Sequence, residues 1–349
     1  MSILIVSESS DIHANVVQHA LTTHGISTTR LASDRLPREQ TLSHLFIDGD
    51  ELSRVNGQEA SNFETVWLRR RGQPKNFEDC LDSVDEQISK QEVGEFWKHC
   101  QFALAPGARQ INRLSAKLRA QSKIYQLRVA QHVGLKIPKT IISNDAAEVI
   151  RFAQQLGTLA FKSFSPVHWD APSGKINTST NALFTTKVSC AQVMDHSASI
   201  SRAPAIFQEL VPAAREYRVT VFGNQCITAT VESTHQYSSL SDWRAGPHSS
   251  LKVTPSDIPE ALKILLFKFM DVAELGFGTF DILETGDREY VFLEVNEAGQ
   301  FLWIEDRNPD IQILKPFCDY LVGNSAWSGP LALAEVAKTV RPSRTSQHA

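Results

Sequence analysis

Residues 292–306 read FLEVNEAGQFLWIED. Val291, Phe292, Leu293 and Val295 favour a strand, and Glu294 and Asn296, two positions apart, fall on one face of it. A buried anion without a partner is costly, so a carboxylate and an amide on one side of an apolar strand should face water or hold something positive. A hard cation is the simplest occupant. Upstream, FGTFDIL and YVFLEVN flank ETGDRE and predict a hairpin, which brings Asp281 on the first strand beside Glu294 and Asn296 on the return strand. Magnesium takes oxygen ligands, keeps several waters and commonly bridges one or two carboxylates to substrate phosphates. Asp281 as a turn carboxylate and Asn296 as a turn former are the structural alternatives.

A metal–nucleotide site also needs cations for phosphates and an apolar slot with backbone donors and acceptors for a base. The candidates are Lys123 within QSKIYQLRVA, Lys162 within the strand LAFKSF, and the segment Gln208, Glu209, Leu210, Val211. A lysine inside an apolar strand is the more telling kind, because its charge requires compensation.

The rest of the chain reads as α/β. Its 349 residues allow about two or three domains, and 42% hydrophobic content is ordinary for a globular protein. A net charge of −4 gives no general attraction for nucleic acid or an anionic membrane, so neither is expected as a partner. The five cysteines are scattered and never spaced CxxC, which fits reduced cytoplasmic thiols. The opening MSILIVSESS lacks a signal-peptide pattern, and ALKILLFKFM is interrupted by Lys263 and Lys268, so no membrane span is expected. HExxH, GxSxG and GxxxxGK[ST] are absent.

A strand over residues 3–7, a helix over 11–24 and a strand over 26–31 make a β-α-β opening without the GxGxxG phosphate fingerprint. ETVWLRRR is a further strand, and its three arginines, Arg69, Arg70 and Arg71, are expected at a solvated strand end. One helix is expected over 113–132, a strand over 137–143, a loop over 165–179, a Gly223-Asn224 hairpin, a loop over 234–259, and a frayed tail after Trp327. Four regions follow: 1–106 as an N-terminal α/β domain, 107–205, 206–325, and a flexible 326–349.

In ordered series, Lys123, Lys162, the 208–211 segment and D…ExN resemble the ATP-grasp superfamily, over roughly residues 112–319. The resemblance implies α/β subdomains with an N-terminal Rossmann-like pre-ATP-grasp domain, and ATP and Mg²⁺ as cofactors. It implies that Lys123 and Lys162 contact phosphates, that Glu209 and Val211 present backbone groups to adenine, with Gln208 beside them, and that Glu216 reaches the ribose. Asp281, Glu294 and Asn296 would hold magnesium. One departure is that the phosphate-covering loop, usually glycine-rich, carries only Gly174 between residues 165 and 179.

VWLRRR, SAKLRAQSKIYQLRVAQHVGLKIPKTIISND, the SDWR at 241–244 and EVNEAGQFLWIED are similar to the graspetide synthetases of the microviridin type, over residues 66–320. That likeness implies a ligase that activates a carboxylate as an acyl phosphate and joins it to a hydroxyl or amine in a precursor peptide with a leader and an acidic core. Arg218 is then expected at the acyl phosphate, with an ion-pair role as its alternative, and Asp242 and Arg244 at the incoming acidic side chain. A small-molecule carboxylate–amine ligase and a non-catalytic nucleotide-binding module are the competing readings. A homodimer is a compatible assembly.

Overall fold

The computed structural model describes residues 1–75, 82–164, 168–169, 181–182, 185–233, 251–323 and 331–340. The N-terminal sheet is parallel, with strand order 27–32, 2–7, 65–68, 109–111. Helix Ile12–Thr23 makes the β-α-β crossover, capped by the Asp11 carboxylate and closed by Gly25 at φ +78°. All four residues of strand Thr65–Leu68 are buried, because an inner strand of a parallel sheet is covered on both faces.

A hairpin that the sequence analysis passed over projects from this domain: Leu42–Ile47 pairs with Asp50–Val55 around Asp48-Gly49, both at positive φ. The Asp-Gly pair between two apolar runs is the signal for it.

The central sheet is antiparallel, in the order 186–189, 158–162, 205–209, 140–143. One face, with Leu159, Ala205 and Phe207, packs on Val149, Ala153, Val193 and Ile200 of three covering helices. The other face carries Lys162 and Gln208, since Lys162 pairs with Ile206 and Gln208 with Ala160.

The C-terminal sheet has five antiparallel strands, ordered 251–256, 225–233, 213–222, 277–285, 290–296. Tyr217, Val219, Phe280, Ile282, Phe292 and Val295 form one face and pack on helices Lys123–Val133 and Glu260–Ala273. At the lower end of the opposite face, Phe222 and Phe277 join a core shared with Ile3, Val17, Leu21 and Trp67 of the N-terminal domain and Phe317 and Leu321 of helix Leu314–Val322. The upper end of that face carries Glu216, Arg218, Asp281, Glu294 and Asn296.

Four expectations change. The helix over 113–132 is two helices, Leu114–Ala120 and Lys123–Val133, divided at Gln121 and Ser122, whose hydroxyl accepts from Tyr125 N and caps the second. Within the loop expected over 165–179, His168–Trp169 pairs with Asn181–Ala182. The loop over 234–259 contains strand Leu251–Ser256, held along strand 225–233. The tail includes helix Leu333–Val340, which buries Leu333, Val336 and Ala337 in the shared core rather than fraying. Cys100, Cys190, Cys226 and Cys318 are free thiols. No helix among the described residues is long and apolar enough to cross a membrane.

Candidate active site

The final hairpin sets the site. Asp281 lies directly across from Glu294 and Thr279 across from Asn296, and a bulge between Asp281 and Ile282 makes up for one extra residue on the return strand. Asp281, Glu294 and Asn296 therefore stand on one face. Like charges directly opposite each other repel, and here each carboxylate is met by a cation. Arg218, the cross-strand neighbour of Asp281 on the other side, donates from Nη1 to Asp281 Oδ1 at 2.5 Å, with both side chains buried. Lys123 Nζ donates to Glu294 Oε2 at 2.5 Å, with both about a fifth exposed at 23% and 21%. Asn296 Nδ2 reaches Glu294 Oε1 at 3.3 Å. Among the described residues no group of three His, Cys, Asp or Glu forms a metal cage. Two carboxylates and an amide on one face of a hairpin instead suit magnesium, which keeps its waters and takes further oxygens from phosphates.

Lys123 owes its position to the helix break: Ser122 restarts the helix, so Lys123 occupies its first turn at the edge strand. Gln126, one turn on, fixes the distance. Its amide donates to Val295 O at 2.9 Å and accepts from Val295 N at 3.0 Å, which satisfies the outward backbone groups of that edge. The i, i+3 spacing of Lys123 and Gln126 is the sequence signal for this arrangement.

The loop after the metal strand is held from the N-terminal domain. Arg69 is 1% exposed, and its Nη1 donates to Gly299 O at 2.9 Å and also to Ala298 O. Lys117 Nζ donates to Arg69 O at 2.8 Å and lies 3.4 Å from Glu297, and burial pulls this ammonium down to about 8. Asn112 Nδ2 donates to Phe277 O and Glu297 O, while its Oδ1 accepts from Gly276 N and Phe277 N. A Cβ on Gly299 would lie 1.5 Å from Thr279 Oγ1, so only glycine lets this turn close against the strand. The arginine run is thus not a solvated strand end: Arg69 is buried, Arg71 is half-buried and donates to Gln101 Oε1 at 2.5 Å, and Arg70 alone is exposed. Backbone carbonyls of the loop after strand 290–296 supply the acceptors for Arg69 that the sequence could not reveal.

Lys162 and Gln208 share the face of the central sheet away from its covering helices, and Gln208 Nε2 donates to Thr140 Oγ1 at 3.0 Å. The Glu209 amide donates to Lys139 O at 2.8 Å, so this N–H is committed to the neighbouring segment. Glu209 and Val211 line a cleft of about 630 Å³ with Lys136, Pro138, Thr285 and Val291, a lining that contains none of Lys123, Lys162 or the oxygen triad. Glu216 stands opposite Leu283, on the face of Arg218 and Asp281. Asp242 and Arg244 lie outside the described residues, as does Trp243. Trp67 belongs to the core, 5.0 Å edge-on from Phe317.

With this geometry in hand, the comparisons are specific. Residues 2–117 match the family model described as the MvdD pre-ATP grasp domain. The macrocyclase MdnC of Microcystis aeruginosa MRC, solved with precursor peptide MdnA, is 26% identical over 92% of this chain and 99% of that one, with a TM-score of 0.77. The chain has the ATP-grasp fold. The macrocyclase MdnB of the same organism is 27% identical over 92% of this chain and 99% of its own, with a TM-score of 0.71. A RiPP-associated ATP-grasp ligase of Chryseobacterium gregarium, solved with ADP and a leader and core peptide, shares the fold at TM-score 0.82 and 23% identity, over 93% of this chain and 98% of that one. No curated protein matches the sequence. Within the ATP-grasp frame, the parallel N-terminal sheet is the pre-ATP-grasp domain, the central antiparallel sheet carries Lys162, the C-terminal one carries the oxygen triad, and the helix packed on its edge carries Lys123.

Proposed function

We propose that the chain is an ATP- and Mg²⁺-dependent ligase that activates a side-chain carboxylate of a ribosomally made precursor peptide and joins it to a hydroxyl or amine as an ester or amide cross-link. The observation that carries this reading is the cross-strand Asp281–Glu294 pair, with Arg218 and Lys123 on its flanks, in a fold that covers 99% of the peptide macrocyclase MdnC. A degenerate nucleotide binder has no need of such a set. Residues 1–106, with strand 109–111 completing the sheet, serve as the pre-ATP-grasp domain, 107–205, with strand 205–209 completing its sheet, as the central domain with the phosphate-covering loop, 206–325 as the domain with the magnesium residues, and 326–349 as the tail. Free thiols fit a cytoplasmic enzyme.

When bound, Mg²⁺ and ATP supply a phosphoryl donor with its charge neutralised, so positioning and electrostatics do most of the catalytic work. Asp281, Glu294 and Asn296 present three oxygens from one rigid hairpin to the metal. Lys123, now engaged with Glu294, lies close enough to the triad to exchange that contact for phosphate oxygens. Lys162 approaches from the facing sheet, and Glu209, Val211 and Glu216 hold the nucleoside. Arg218 is braced by Asp281, and its Nη2 donates to Gln300 O at 3.3 Å, which sets its planar fork to stabilise the negative charge at the activated carboxyl. The substrate carboxylate oxygen bonds to the γ-phosphorus as the bond to the β,γ-bridging oxygen breaks, and ADP leaves. The hydroxyl or amine then attacks the acyl carbon, loses its proton and releases phosphate. Asp242 and Arg244 orient the incoming acidic side chain.

The test is Arg244→Ala with an acidic, Thr- or Lys-containing precursor. ATP affinity stays near the parent value, and the loss of one water per cross-link stops in the intact-peptide mass spectrum. Cross-linking at the parent rate removes Arg244 from the peptide site. Ligation of free amino acids as well as of the full peptide overturns the peptide reading.

A further inference from the structure

In open α/β sheets, ligands sit outside the carboxyl ends of the strands, where the strand order reverses. In the N-terminal sheet that point lies between strands Ser2–Ser7 and Thr65–Leu68, because strand 27–32 continues on one side of the first strand and 65–68 starts on the other. The residues that follow these two strand ends are charged. Asp11 Oδ2 lies 3.5 Å from Arg69 Nε and 3.8 Å from Arg70 Nε, so two guanidinium groups share one carboxylate and leave one positive charge over (+2 − 1 = +1). Arg69 is 1% exposed; its Nε faces Asp11 in that ion pair, while its Nη2 has no hydrogen-bond partner among the described residues, and neither has the Nε of the buried Arg218. Buried donors of this kind are rarely left unmet.

These groups are neighbours. Arg69 holds the carbonyls of Ala298 and Gly299, and Arg218 holds the next one, Gln300. The His13 ring feels Arg69, Asp11, Arg70 and Arg218; burial and then Arg69 pull it down to about 3, so it stays neutral and adds no charge of its own. It packs 5.1 Å from the Phe301 ring. Of the other nearby acids, Glu297 acts on Arg69 and is itself met by Lys117 at 3.4 Å, Asp34 accepts from Ser9 N and Oγ at 2.7 and 2.5 Å, and Glu8 pairs with Lys75 at 3.8 Å. Arg70, 46% exposed along its side chain, stands at the entrance. The crevice therefore combines buried, unmet guanidinium donors, an uncompensated charge and an exposed fork, one loop away from Asp281.

We propose that this crevice is a carboxylate-binding subsite for a non-reacting acidic side chain of the peptide, held by Arg70 at the mouth and Arg69 on the floor. An acidic residue seated there fixes the register in which another reaches the phosphoryl-transfer centre. The proposal rests on the peptide-ligase reading and is separable from it by experiment.

The probe is a synthetic peptide with two glutamates and one threonine, and a twin with one glutamate replaced by glutamine, titrated by calorimetry into the full chain without ATP. Arg70 is exposed and holds no backbone group in place among the described residues, so Arg70→Gln retains the fold. The expected result is that the glutamine twin binds about tenfold more weakly or worse to the parent chain. Arg70→Gln weakens the two-glutamate peptide to the same degree and no longer distinguishes the twins, and Arg70→Lys restores part of the difference. Equal affinity of parent and Arg70→Gln, or undiminished discrimination by Arg70→Gln, overturns the subsite. Ligation of the same peptides, read separately by mass spectrometry, bears on the ligase reading alone.

Discussion

At the scale of single residues, the oxygen triad was legible because two carboxylates and an amide on an apolar hairpin have few inexpensive explanations. Their counter-charges were only partly so: a sequence does not say that Arg218 and Asp281 lie opposite each other on adjacent strands. That pairing separates two variants. Loss of one well-placed electrostatic contact lowers turnover by roughly 10²–10³-fold, so Glu294→Gln and Asp281→Asn both fall at least that far in ATP turnover at limiting Mg²⁺. Asp281→Asn also leaves the buried Arg218 without its carboxylate, a loss of about 3–5 kcal/mol in denaturant unfolding, whereas the partly exposed Glu294 pair loses little. Parent-level turnover in either variant contradicts the metal assignment. Lys162→Met weakens ATP binding by about 1.5–3 kcal/mol in calorimetry. Lys90→Met does not, because Lys90 is exposed on helix Ser83–Cys100 and paired with Glu86.

At the scale of elements, caps, glycine stops and hairpin alternation gave most boundaries, and the failures share a physical cause. The seating of helix 123–133 on the edge strand and the burial of Arg69 depend on partners distant in sequence: Val295 for Gln126, and the Ala298 and Gly299 carbonyls for Arg69. Propensity does not encode such partners. Gln126→Ala strips both the donor and the acceptor from Val295, with an expected loss of about 1–3 kcal/mol in unfolding free energy and slower ATP turnover as Lys123 loses its brace. Unchanged stability would mean that water replaces the amide at that edge. Gly299→Ala forces the loop off Thr279, with turnover falling while the far-ultraviolet circular dichroism is retained.

His13 gives the pH dependence of the same junction. Its folded-state value near 3 lies below the ordinary 6.5, so between these values the unfolded chain binds the extra proton. Stability from this group is fully present above pH 6.5 and is lost as pH falls towards 3. The parent chain should therefore lose more stability than His13→Gln between pH 7.5 and 5.0 in parallel denaturant titrations, at about those two pH values. Identical losses would place a charged imidazole at the junction.

At the scale of the molecule, the β-α-β opening and the final hairpin made the two ends readable, but their joining was not. The core that unites Ile3, Val17 and Trp67 with Phe277, Phe317 and Val336 ties the pre-ATP-grasp domain to the sheet bearing the triad, and the Arg69 clasp lies above it. The carbonyls of residues 298–300 link Arg69 to Arg218, and Arg218 in turn pairs with Asp281, so the proposed subsite and the metal residues are joined through one loop. The most direct measurement is incubation of the full chain with ATP, Mg²⁺ and an acidic, Thr- or Lys-containing precursor, with phosphate release and intact peptide mass followed together. The account predicts one water lost from the peptide and one phosphate released for each cross-link, both abolished by Glu294→Gln. Phosphate release without any change in peptide mass, across precursors that bind, would contradict it.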